Sequence, residues 1–140
     1  PLAKNELEDL SELRMHTEIP IAVDESLTDL NSAIEIIENQ SADIFIIKPM
    51  VSGSFKETIK IIELGKANGI ESVITTTLGT EIERQACIQL AFAGKITLSC
   101  GFSTPSLMKK NVINNYIPTA NISKPVHIGL NLIPTKIPFL

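Results

Sequence analysis

The stretch "IPIAVDES", residues 19–26, is followed at residues 43–53 by "DIFIIKPMVSG". Each is a short apolar run that stops at charge: Asp24 and Glu25 in the first, Lys48 in the second. Such runs, rich in β-branched residues and bounded by breaking or charged residues, read as strands. Two more follow, so the predicted strands are Ile19–Val23, Ile44–Ile47, Ser72–Thr76 and Lys95–Ser99. Between them the apolar residues change period. Leu30, Ala33, Ile34 and Ile37 fall at i, i+3, i+4 and i+7, one face of a helix. Phe55, Ile59 and Ile62 predict a second helical face, and Ile82, Ala86 and Leu90 a third. The segment from Lys4 to Met15 predicts a helix ahead of the first strand.

Helix ends are marked as well. "SFKE" (Ser54, Glu57) and "TEIE" (Thr80, Glu83) have the spacing of capping boxes, in which a hydroxyl caps an amide and a glutamate reaches back. Gly69 and Gly94 follow helical runs and suit the left-handed stop position. Strands alternating with helices at this pitch predict βαβ units in an α/β fold with a parallel sheet. After Ser106 the pattern fades. Pro118, Pro125, Pro134 and Pro138 fall in 111–140 and predict an extended tail, so the organisation reads as 1–110 and 111–140.

The totals narrow the function. The chain has 140 residues, 44% hydrophobic and 20% charged, which fits one globular domain. Net charge is −4 with no basic stripe, which argues against nucleic acid. No apolar run is long enough to span a membrane and no signal peptide opens the chain. Cys87 and Cys100 lack metal or disulfide-framework spacing, and the expected compartment is the cytoplasm.

In parallel α/β folds, side chains at the carboxyl ends of strands face the ligand. Here those ends are Asp24-Glu25, Lys48, Thr75-Thr76-Thr77 and Ser99-Cys100-Gly101. A carboxylate, an ammonium, hydroxyls and a glycine suit a hard cation with an anionic substrate. Each has a plainer reading alone. An Asp-Glu pair after a strand is ordinarily a solvated loop, Lys-Pro an ordinary loop start, and "TTT" ordinary strand composition. His16 and His127 read as structural or solvated, and Cys87 as core. Their succession at four strand ends is what points to a site.

At this point the residues resemble a known family. "IPIAVDESL", "IIKPMVSGSF", "SVITTTLGTEIERQACIQLA" and "CGFST" are similar to the C-terminal barrel half of the enolase superfamily, and within it resemble the o-succinylbenzoate synthases of menaquinone biosynthesis. The likeness covers about residues 1–108. It implies the C-terminal half of a (β/α)8 TIM-type barrel, with about four parallel strands alternating with helices. The first barrel strands and the capping domain would lie outside this chain. It implies Asp24 as a ligand of Mg2+ and Lys48 as the catalytic lysine facing one or two lysines of an upstream strand. Thr75, Thr76 and Gly101 would meet a substrate carboxylate, with Glu25 in support. The implied reaction removes a proton α to a carboxylate and then expels water to give o-succinylbenzoate. N-succinylamino-acid racemases and dipeptide epimerases share the motif and the metal and would use both lysines as a pair.

One departure bears on that choice. Members often carry a Glu-Ser pair after the seventh strand, where this chain has Gly79 and Thr80. The resemblance also suggests that Pro1 follows a glutamate ligand, that the 140 residues alone would be inactive and prone to association, and that 111–140 returns toward the capping domain. A homo-oligomer is compatible with it. Two rival readings stand beside it. A phosphorelay receiver needs its hydroxyl residue before the lysine, and here residues 75–77 come after Lys48. A non-catalytic α/β binding domain would make the polar strand ends coincidental.

Overall fold

A computed structural model describes residues 6–102. The element order is α1 (Leu7–Met15), β1 (Ala22–Val23), α2 (Leu30–Glu38), β2 (Ile44–Ile47), α3 (Phe55–Ala67), β3 (Glu71–Ile74) and α4 (Glu81–Ala93). The three strands form one parallel sheet in the order β1-β2-β3. Among the described residues, no helix is long and apolar enough to cross a membrane. Pro1, His127 and the segment 111–140 lie outside the described residues.

The sheet has two unlike faces because side chains alternate along a strand. Val23, Phe45, Ile47, Ser72 and Ile74 are buried. They join Ala33 and Ile36 of α2, Ile61 and Ile62 of α3, and Cys87 and Leu90 of α4 in one core, apart from Ser72. Ala22, Ile44, Ile46 and Val73 alternate with them and are more open. Among the described residues the helices therefore cover one face only, as a segment of barrel wall requires.

The predicted helical faces are rotated. Ile34, Phe55 and Ile82 are exposed, while Ile36, Thr58, Ile61 and Cys87 take the inner positions. Phe55 and Ile82 occupy the first turns of their helices, and burial shifts to residues further along each helix. On α3 the buried set is Thr58, Ile61, Ile62 and Gly65, itself a helical stripe.

Two predicted strands are shorter than expected and one is absent. β1 begins at Ala22 because Pro20 has no N–H to give and the Ile21 amide is taken by Asp43 Oδ2 at 2.8 Å. β3 ends at Ile74 rather than Thr76. The fourth run, Lys95–Ser99, forms no strand. Ile96 N donates back to Ala91 O at 3.0 Å, so it closes α4 instead of opening a ladder. Pairing reappears only as a single parallel bridge, Thr75 with Gly101.

Capping also differs from the spacing rule. Ser54 accepts from the Glu57 amide at 3.1 Å, but Glu57 turns toward Lys60, 3.9 Å away. Thr80 makes no side-chain cap bond. The complete reciprocal box is at α2, where Asp29 accepts from the Ser32 amide and Ser32 Oγ accepts from the Asp29 amide. Gly69 does take the left-handed conformation (φ 75°), whereas Gly94 stays right-handed and Lys95 turns left at φ 54°.

At the amino ends of the strands, Asp43 ties three elements together. Its Oδ1 accepts from Arg14 Nε at 2.7 Å and its Oδ2 from the Ile21 amide. The Ile21 hydrogen bond, then Arg14, holds its carboxyl below the usual 3.8. A depressed folded value means the contribution is present at neutral pH and is lost as pH falls below about 4. D43N is accordingly expected to lower stability at pH 7 by about 1–2 kcal/mol and to flatten the acid limb of the unfolding profile. Chemical denaturation of the full-length protein at pH 7 and pH 3 measures both.

Candidate active site

β1 and β2 bring the first pair of predicted residues together. Val23 pairs with Phe45, and Ile47 with Ile74. Continuing the alternation puts Asp24, Lys48 and Thr75 on the face that the helices leave uncovered. Each strand stops there for a local reason. The Asp24 carbonyl accepts the Leu27 amide at 3.1 Å, and the Lys48 carbonyl accepts the amides of Val51 and Ser52. Both are turns, so each side chain stands at the last extended position before the chain bends away.

Lys48 Nζ lies 2.5 Å from Asp24 Oδ1 and 3.9 Å from Glu25 Oε1. The short contact has the distance of an ion pair without the alignment of a hydrogen bond, and Oδ1 is a buried oxygen with no hydrogen-bond partner. The pair is partly open, with side-chain exposures of 26% for Lys48 and 35% for Asp24. Glu25 is well exposed and lies outside the immediate contact.

The hydroxyl residues separate. Thr75 N donates to Ile47 O at 2.9 Å, which sets Thr75 beside Lys48. Its Oγ1 is buried and has no hydrogen-bond partner. Thr76 alternates to the buried face, where its amide and its Oγ1 both donate to Gly101 O, at 2.9 and 3.2 Å. Gly101 N donates to Ile74 O at 3.0 Å, so its amide is engaged in the bridge. A Cβ on Gly101 would stand 3.1 Å from Thr75 Cγ2, so the glycine permits close approach at Thr75.

Cys87 lies behind this end of the sheet, with Sγ 4.0 Å from Thr75 O. Burial first, then the Glu83 charge, pushes its thiol up to about 12, so it is inert packing at neutral pH. The sequence reading missed Glu83. It is buried, and it accepts from Thr77 N at 2.6 Å and Thr77 Oγ1 at 2.8 Å. Glu81 and Arg84, both fully buried, form a bidentate pair beside it. The "TEIE" spacing held the signal, but for a loop contact and not for a helix cap.

A carboxylate at a strand end, followed by a second one residue on, offers the hard oxygen donors that Mg2+ takes. Among the described residues no three His, Cys, Asp or Glu side chains converge to hold a metal. A site built on Asp24 would need its other oxygen donors from water, substrate or residues beyond those described.

Comparison with known proteins decides the family. The family model "Enolase C-terminal domain-like" matches residues 1–122. This chain belongs to that family. It is 29% identical over 135 residues to the L-Ala-D/L-Glu epimerase of Bacillus subtilis (strain 168), covering 95% of this chain and 37% of the epimerase. It is 24% identical over 110 residues to the o-succinylbenzoate synthase of Thermobifida fusca (strain YX), covering 78% of this chain and 34% of the synthase. Among solved structures, the dipeptide epimerase of Enterococcus faecalis V583 complexed with Mg and the dipeptide L-Leu-L-Tyr superposes with a TM-score of 0.71 at 28% identity, covering 74% of this chain and 30% of that one. The chain therefore spans about a third of the length of these relatives, all of which are enzymes. The fold is the barrel half of this enolase-type domain, a small parallel sheet with helices.

Proposed function

We propose that the chain contributes Asp24 and Lys48 to a Mg2+-dependent site that removes the proton α to the carboxylate of a small molecule. The observation that carries this reading is the contact of Asp24 Oδ1 with Lys48 Nζ, a carboxylate and an ammonium 2.5 Å apart at the ends of adjacent strands. Mg2+ bound at Asp24 would supply Lewis-acid stabilisation of the negative charge that builds up on the substrate carboxylate.

The chain's own residues do the rest. Lys48 Nζ, released from Asp24, presents a cation to that charge or, as the free amine, moves the α-proton itself. Glu25 stands near enough to keep the lysine at the mouth. Thr75 Oγ1, the hydroxyl without a partner, donates to the substrate's remote carboxylate. Thr76 and Gly101 hold each other and so fix the backbone behind Thr75.

Two outcomes share this first step: expulsion of water to give o-succinylbenzoate, and return of the proton to give the other epimer. The longer and closer match to the epimerase favours return of the proton, and Gly79 and Thr80 in place of the family's Glu-Ser pair leave the synthase assignment open. A dipeptide such as L-Ala-L-Glu is then the substrate class. Chiral analysis of this dipeptide after incubation with the full-length protein and Mg2+ tests the choice. Epimerised product without any o-succinylbenzoate from its dehydration substrate is expected. The reverse pattern selects the synthase, and neither product contradicts the proposal.

A further inference from the structure

Glu83 stands at the third helical position of α4, where a capping box would turn its carboxylate back to the Thr80 amide. It reaches instead over the end of β3. Oε1 takes both the amide and the hydroxyl of Thr77. The residue is only 7% exposed, and its Oε2 has no hydrogen-bond partner. Gly79 explains how it fits: a Cβ on Gly79 would lie 1.4 Å from Oε2 and 2.6 Å from the carboxyl carbon. Glycine and glutamate are thus a matched pair, one vacating the space that the other fills.

Thr77 is two residues past Thr75 on the same alternation. Thr75 Oγ1 has no hydrogen bond of its own, so the backbone on either side places it. On one side that backbone is held by Ile47 O, and on the other by Gly101 O through Thr76 and by Glu83 through Thr77. Short hydrogen bonds to an ionised carboxylate are among the strong ones, and they gain in a water-poor site.

We propose that Glu83 is a positioning residue: from α4 it fixes the segment Thr75–Thr77 at the substrate end of the mouth, and Gly79 is the gap that admits it. This rests on the proposed role of Thr75 toward a substrate carboxylate. In the full-length protein, E83A and G79A are each expected to raise KM about tenfold with kcat within about threefold of wild type. E83Q keeps a carbonyl acceptor for the Thr77 amide and should restore KM to within about threefold. The decisive comparison is the double variant G79A/E83A. With the carboxylate gone the added methyl keeps only a 3.1 Å contact to the Cβ of residue 83, so the KM of the double variant should stay within about twofold of that of E83A alone. A KM that stays at the wild-type value in E83A, or full additivity in the double variant, overturns the proposal. If E83A does not fold, T77V carries the test, with an expected rise in KM of about threefold; an unchanged KM overturns it. A full-length protein inactive on every carboxylate tried overturns the proposed function instead, and the Thr77 amide then decides this inference. Hydrogen exchange there at least about tenfold faster in E83A sustains it, and equal exchange overturns it.

Discussion

Lys48→Met in the full-length protein is expected to lower kcat for α-proton removal by about 10³-fold, within the range set by loss of a positioned acid or base. The reason is local. Lys48 directly follows β2, and its carbonyl is tied into the turn, so its Nζ is aimed and not merely present. Methionine keeps the aliphatic stem and removes the charge. The fold should survive, because the pair is partly open to water and its loss should cost about 1 kcal/mol. Unfolding by denaturant on the same preparation separates the two effects: kcat should collapse while the midpoint barely moves. A loss of activity that tracks a loss of stability would make Lys48 structural.

Asp24→Asn is the second large effect. Asparagine keeps the shape and one oxygen donor but removes the charge that a hard divalent cation requires. Loss of a partner outside the immediate coordination shell typically costs about 10–100-fold in metal affinity, so loss of a ligand should weaken Mg2+ by at least about 100-fold. Titration of Mg2+ into the full-length protein, followed by calorimetry, measures it directly. Activity should return in part at high Mg2+ if the introduced amide still coordinates through its carbonyl oxygen. Weak Mg2+ binding that Asp24→Asn leaves unchanged would favour the rival reading, an α/β domain whose polar strand ends are coincidental.

How much of this could be read in advance depends on which forces acted. β2 was legible to the residue because Ile44–Ile47 is wholly apolar and bounded by Asp43 and Lys48, so burial and charge agree on both ends. Asp24 and Lys48 were legible for the same reason. The run at Lys95–Ser99 has equally good strand composition, but the closing turn of α4 claims Ile96 N, and composition cannot report that competition. Thr75 and Thr76 looked equivalent in sequence. Alternation separates them, and the separation depends on register, which only pairing to β2 fixes. Glu83 shows the same limit from the other side. The capping-box spacing was correct as a pattern, yet the Thr77 amide lay within reach and took the carboxylate that the box would have used.

Asp24 and Lys48, in the proposed function, belong to one Mg2+-dependent site for removing an α-proton. Proton NMR of the full-length protein with L-Ala-L-Glu in D2O tests it most directly. Loss of the glutamyl α-hydrogen signal by exchange with deuterium is expected, dependent on Mg2+, about 10³-fold slower in Lys48→Met and at least about 100-fold slower in Asp24→Asn at the same subsaturating Mg2+ concentration. Exchange at the wild-type rate in either variant at the same Mg2+ concentration, or no exchange in the wild type with this dipeptide or with N-succinyl amino acids, would contradict it.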